Sequence, residues 1–346
     1  MIINHPGPWQ QYQFRSDNKG LSVMEMKSKY LHEQYLFENE LFNLQQQHQQ
    51  NVFMNGGGGG PLSTQSAPTY STALKLTFND TLANMATNYG YNVTSATAWN
   101  NTGRFTFNGS NSNFGTVEVV DNFSIILKGN EEGLAVEVDT FSGDAYLIFI
   151  EDLNANCITE VKDGAFNAAV LERATLGAMT TVGGAAFAGC GGLGLVRFNS
   201  LITIPNAGDF SSGVFAGCDL SGDDLGTMFP ALVTIGDFAF YRTNIPAINS
   251  STITTIGFRA FDSSTSLTSI NLTNFVTFGN ATGGRSFASC EGLINIALPS
   301  VCTFFGNNND TFISVANGGT AVVNNANIND ASILYIKNTL GWSVNP

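Results

Sequence analysis

The chain has no run of about 18 apolar residues, the minimum for a transmembrane helix, and its first thirty residues lack a basic segment leading into an apolar core. Neither a membrane span nor a secretory signal is therefore expected. Lys and Arg total 14 and nowhere cluster, which removes the electrostatic footprint that a nucleic-acid partner needs. The three histidines, His5, His32 and His48, all precede a run of five glycines, and the five cysteines form no Cys-x-x-Cys pair. Most of the chain thus lacks the residue types of a zinc site or a Cys-His nucleophile, and no metal or other cofactor is expected. Charge is scarce in general, at 12% of residues against an ordinary share of about 25%.

Gly, Asn, Ser and Thr are abundant instead, so solubility rests on uncharged polar groups. With 43% apolar residues in 346, the chain can bury a core without disulfide staples. The net charge of −13 is uneven: residues 1–74 carry four basic and five acidic side chains, and the remainder ten against twenty-two, giving −1 and −12. Between Glu118 and Asp163 eleven acids face only Lys128 and Lys162. That stretch has no regular alternation of carboxylates, so it reads as a solvated face rather than a calcium loop. The adjacent pairs Glu151-Asp152 and Asp223-Asp224 read as turn and surface acids, because neighbours on a strand point to opposite faces. No enzyme activity is expected.

The chain divides by composition. Residues 26–50 have no Pro or Gly and place Leu31, Tyr35, Phe37, Leu41 and Leu44 on an approximate helical stripe. This predicts an amphipathic helix that docks on a partner or self-associates, within a docking or oligomerisation segment at 1–55. The glycines and the Pro/Ser/Thr-rich residues after them make 56–72 a flexible linker. Five glycines without a following Lys-Ser/Thr do not make a phosphate loop. From 73 to 156, stretches such as "ALKLTFND", "GTVEVVDNFSIILKG" and "AYLIFIEDL" alternate apolar and polar residues between turn formers. They predict a β-rich cap of about five strands with a helix-like insert at 82–86.

Repeats follow, at 157–316. Phe166, Phe187, Phe215, Phe240, Phe261 and Phe287 recur at spacings of 21, 28, 25, 21 and 26, the signature of a stacked array. An aliphatic residue lies five positions before most of them (Val161, Val182, Ile235, Ile256), and a Leu or Ile lies five or six after. Three residues after each Phe stand Ala169, Cys190, Cys218, Thr243, Ser264 and Cys290. A position that accepts all four residue types selects size rather than sulfur chemistry, so Cys190, Cys218 and Cys290 read as small buried ladder residues. Cys157 and Cys302 fall at repeat edges. Long units after Ile204 and Phe278 predict loops near Asp209 and Asn280, and residues 317–346 break the period as a closing cap.

The octads "AFAGCGGL" and "SFASCEGL", with the shorter "VFAGCDL", resemble the BspA-type leucine-rich repeat over roughly 158–301, with a weaker trace around Phe312. The resemblance implies a mainly β leucine-rich repeat solenoid, here with an N-terminal β-rich cap and a separate helical segment. The strand, Trp99 segment and terminal cap around it are similar to leucine-rich repeat proteins of tailed bacteriophages. That likeness implies a virion surface fibre or decoration protein made in the host cytoplasm, joined to other virion proteins through 1–55. Its partners would be a host-surface glycan or protein, and a homotrimer is one arrangement the N-terminal helix would support. Other readings are a purely structural capsid or tail decoration protein and a cellular adhesin. If a ligand surface exists, it is expected on outward positions of the repeat strands: Arg197, Thr268, Ser269, Asn271 and Asn295.

Overall fold

A computed structural model of the chain describes residues 70–279, 284–299, 302–304, 310–323 and 330–345. The expected helix at 26–50 with its five stripe residues, the linker to residue 69, and Asn280 lie outside the described residues. The fold is mainly β and forms a solenoid of about eight turns. Each coil contributes a short strand to one face, turns at its Phe, and contributes a second strand to the other face.

The first face carries β7 (Leu147–Asp152), β9 (Arg173–Thr175) and β11 (Leu195–Arg197) in parallel register. It resumes with β14 (Ala247–Ser250), β16 (Ser269–Leu272), β18 (Asn295–Ala297), β20 (Thr320–Val322) and β21 (Ser343–Asn345), again all parallel. A single helical turn, Leu225–Met228, takes the strand's place between β11 and β14 and divides the face into two sheets. The second face runs through β6 (Leu134–Val136), β8 (Ile158–Val161) and β10 (Thr181–Val182). It continues with two-residue strands β12 (Thr203–Ile204), β13 (Thr234–Ile235), β15 (Thr255–Ile256), β17 (Thr277–Phe278) and β19 (Thr303–Phe304).

The core between the faces is a column of phenylalanines. Phe141, Phe166, Phe187, Phe215, Phe240, Phe261, Phe287 and Phe312 stack face to face, with ring centroids 5.1 to 5.7 Å apart and planes within 11°. All eight are buried. Each stacked pair contributes about 0.5–1.5 kcal/mol beyond its buried area. The turn that presents each ring is held by coil-to-coil backbone bonds: Phe240 N–H, for example, donates to Ala260 O at 2.8 Å, and Arg242 N–H to Asp262 O at 3.0 Å. Two residues beyond every ring the backbone is left-handed, at Gly143, Ala168, Gly189, Gly217, Arg242, Ser263, Ser289 and Ser314. A side chain in that conformation costs roughly 1–2 kcal/mol relative to glycine.

The coil geometry starts earlier than the repeat spacing indicates. β6 and β7, expected in the cap, already pair in parallel with the next coil, and Phe141 heads the ring column. Sequence spacing missed this coil because it has Asp144 where the six coils from Phe166 to Phe287 carry a small residue. The cap proper is antiparallel and covers both open sheet edges, β1 (Thr72–Phe78) on β7 and β2 (Phe105–Phe107) on β6, with β3 (Ser110–Asn111) beside β2, and β5 (Ser124–Gly129) and β4 (Phe114–Val119) beyond β1. The strict alternation of β1, buried at Leu74, Leu76 and Phe78, lets it roof the core. Trp99, fully buried with its indole N–H on Val93 O at 2.7 Å, fills the end above Phe105. The Arg104 guanidinium lies 4.7 Å over Phe141 and closes the column. At the far end the helix Ala331–Asn338 buries Ile333 and Ile336, and Trp342 donates to Ala316 O at 2.7 Å.

Candidate functional site

The question posed by the cysteines is settled by what their sulfurs touch. Cys190 Sγ donates to Phe166 O at 2.9 Å, Cys218 Sγ to Phe187 O at 2.9 Å, and Cys290 Sγ to Phe261 O at 3.1 Å. Ser264 makes the same bond to Phe240 O at 3.0 Å, while Thr243 Oγ1 donates to that carbonyl from within its own coil. Five of the six small residues thus also donate a hydrogen bond to a ring residue's carbonyl, a contact that size alone did not announce. Only the first of these six coils, with Ala169, does without one. Burial pushes the Cys290 thiol well above its ordinary range, as it does for Cys218, where the neighbouring Cys190 adds to the effect. Such thiols are inert as nucleophiles.

Glu151 and Asp152 part company as neighbours on a strand should, yet they are not surface acids, whereas Asp223 and Asp224 lie at a partly exposed turn as expected. Glu151 and Asp152 are buried. Glu151 pairs with Arg173 and, at 3.3 Å, with Lys75, whereas Asp152 turns the other way to accept Cys157 N–H at 2.7 Å. Asp224 caps the helical turn Leu225–Met228 by accepting Gly226 N–H at 3.0 Å. Asp223 pairs with Arg197 at 2.7 Å. That contact leaves Arg197 on the outward side of β11, opposite the buried Val196 and Phe198, but covered and with its charge paired. The chemistry of a long cation on a sheet whose neighbour is a helical turn was invisible in a strand-only reading of "LGLVRF". Among the described residues no group of three or more His, Cys, Asp or Glu is placed to hold a metal. No described helix is long and apolar enough to cross a membrane.

The other four ligand candidates come together. Ser269 stands in register between Ala247 and Asn295, and Asn271 beside Asn249 and Ala297, all on the outward side of one parallel sheet. Thr320 and Ser343 extend the first row. Thr268, just before this strand, is exposed and donates to Pro246 O at 3.0 Å. Asn271 Nδ2 donates to Asn249 Oδ1 at 3.0 Å, so part of the hydrogen-bonding capacity is spent within the sheet. The inward residues Ile248, Ile270 and Ile296 fasten the strands to the core. The result is a fixed lattice of small uncharged donors and acceptors, spaced by the roughly 4.8 Å separation of strands.

A second outward surface escaped the residue reading. Thr203, Thr234, Thr255 and Thr277 stand in register on the opposite face, one position before each inward Ile or Phe. The residues preceding them, Ile202, Val233, Thr254 and Val276, stack from coil to coil through their backbone N–H groups. Ile202 and Val276 are more than half exposed. Its signal was present as the Thr that precedes each aliphatic ahead of the Phe turns.

A family model described as the BspA type leucine-rich repeat region matches in six copies, over residues 140–221 and 202–316. The chain belongs to this family. No curated protein matches it. The matched BspA-type repeats begin at the coil of Phe141, in agreement with the parallel pairing of β6 and β7. A BspA-type leucine-rich repeat solenoid is typically a non-enzymatic binding scaffold, which marks the chain as a surface or protein-binding repeat protein.

Proposed function

We propose that this chain is a surface protein of a tailed-phage virion, a fibre or decoration protein, that anchors through residues 1–55 and displays its solenoid to a host-surface glycan or protein. The observation that carries the reading is the neutral lattice around Ser269, Asn271 and Asn295, which offers directed hydrogen bonds on a rigid support. Uncharged amide and hydroxyl groups suit sugar hydroxyls and peptide backbone, and rigidity lowers the ordering cost of binding. A purely structural decoration role is favoured by a different observation: the β-branched row at Ile202, Val233, Thr254 and Val276 is a partly exposed, largely apolar surface suited to packing on another virion protein.

Two measurements test the proposal. Light scattering of the full chain should give a multiple of 36.9 kDa, three for a homotrimer, if residues 26–50 self-associate. Glycan and protein microarrays probed with the full chain should yield a ligand whose binding is lost in the double variant Ser269→Arg, Asn271→Arg. A ligand that binds the variant as tightly as the parent would place recognition elsewhere. Absence of any ligand, with the protein found in purified particles, would favour the decoration role.

A further inference from the structure

The coil turns reveal where this chain departs from its own backbone preference. The left-handed positions two residues before or after the rings hold Gly at 143, 164, 189 and 217, Asp at 139, and Ala or Ser at 168, 185, 263, 289 and 314. In neighbouring coils the same slots hold Phe238, Arg242, Arg259 and Arg285, at φ 57°, 56°, 51° and 54°. Bulky residues are a costly choice there.

These residues build one cluster on the turn edge. Phe210 lies 5.6 Å from Tyr241, Tyr241 6.4 Å from Phe238, and Phe238 5.5 Å from Phe258. The Arg242 guanidinium sits 5.1 Å over Tyr241 and that of Arg259 5.4 Å over Phe258. Phe210 comes from the inserted loop that lengthens one repeat, and at 57% it is the most exposed large apolar side chain among the described residues. The loop is braced rather than loose. Asp209 accepts the N–H groups of Ser211 and Ser212 at 2.9 and 3.0 Å, and Ala207 N–H reaches Asp237 O at 3.1 Å. An insertion so held presents its ring to solvent instead of hiding it.

Charge singles out Arg242. Arg259 pairs with Asp262 and Arg285 with Asp310, each at 3.5 Å, whereas Arg242 is exposed and has no carboxylate partner among the described residues. An unpaired guanidinium in a chain of net charge −13 points to an anionic ligand. Asp209, Asp237 and Asp262 nearby repel a polyanion or a densely acidic peptide, so the ligand carries one isolated charge. The exposed part is two rings and one fork, the breadth of a single pyranose and far below the roughly 800 Å² per partner of a protein interface.

We infer that this edge binds a carboxylated sugar, with the carboxylate on the Arg242 fork and the C–H face of the ring on Tyr241 and Phe210. The site is separate from the lattice at Ser269 and Asn271 and stands whether or not that lattice binds a ligand. The test uses the full chain in calorimetric titrations with sialyllactose against lactose, and with galacturonic acid, which carries a single carboxylate, against its methyl ester. One acidic sugar is expected to bind at least tenfold tighter than its neutral counterpart, and which one does identifies the source of the carboxylate. Arg242→Gly and Phe210→Ser should each weaken binding tenfold or more. The glycine variant should melt no lower than the parent, because φ 56° suits glycine, which separates loss of a ligand contact from loss of the fold. Equal binding of acidic and neutral sugars, no binding of either acid, or unchanged affinity in Arg242→Gly would overturn the inference. Tighter binding of an acidic Tyr-containing peptide would overturn it in favour of a protein partner.

Discussion

Replacing Cys290 by Ser and by Ala separates two explanations of the cysteine ladder by the sign of one difference. Cys290 is fully buried, with its thiol on Phe261 O at 3.1 Å, and that carbonyl also accepts Ser264 N–H at 3.1 Å. Ala leaves the sulfur's space empty while Ser refills most of it with Oγ, so the volume term separates them by only part of the roughly 1 kcal/mol of a buried heavy atom. What remains is the donor. If the position serves a coil-to-coil hydrogen bond, Ser keeps it, as Ser264 does one coil earlier, and the Ser variant should exceed Ala by about 0.5–1.5 kcal/mol. If only size matters, a buried hydroxyl without a required partner should leave Ser about 1–3 kcal/mol below Ala. Urea unfolding followed by the fluorescence of the capping residues Trp99 and Trp342 reads the difference. Arrays of repeats can open in stages, so the comparison holds for variants with equal denaturant slopes. A Ser variant less stable than the Ala variant would refute the donor reading and restore selection by size.

Two further outcomes follow from the same packing. Gly226→Ala should destabilise the solenoid by about 1–3 kcal/mol, seen as a lowered melting temperature, because its Cβ would fall 1.9 Å from Asn249 O on the next coil; an unchanged melting temperature would show that the helical turn can move off β14. All five cysteines are buried, and burial holds Cys157, Cys218 and Cys290 far above the ordinary thiol range and brings Cys302 up to about 12. A raised thiol stays protonated through neutral and mildly alkaline pH, so a disulfide reagent at pH 8 should label none of these four natively and every cysteine in guanidinium; rapid native labelling of any of the four would contradict their burial.

The solenoid was legible because its information is periodic and local. Aliphatic, Phe and Leu at near-constant offsets specify which side chains enter the core, and any coil must bury them against its neighbours. The alternation of β1 likewise announced a strand with one buried side. Residues whose role depends on a neighbouring coil could not be read this way. The sequence of "LGLVRF" places Arg197 outward, but does not announce the ion pair with Asp223, 26 residues later, that covers it there. Ala, Cys, Thr and Ser at one offset look like a size filter until the donor's target, a carbonyl one coil away, is in place. The same holds for the turn edge: Phe210 and Tyr241 are 31 positions apart, and only the stacking of two coils makes them one surface. Sequence alone determined the repeat, its period and its inward residues, because these follow from hydrophobic burial at fixed spacing. The tertiary structure decided partners across coils, since superposing one coil on the next sets distances that no local pattern encodes.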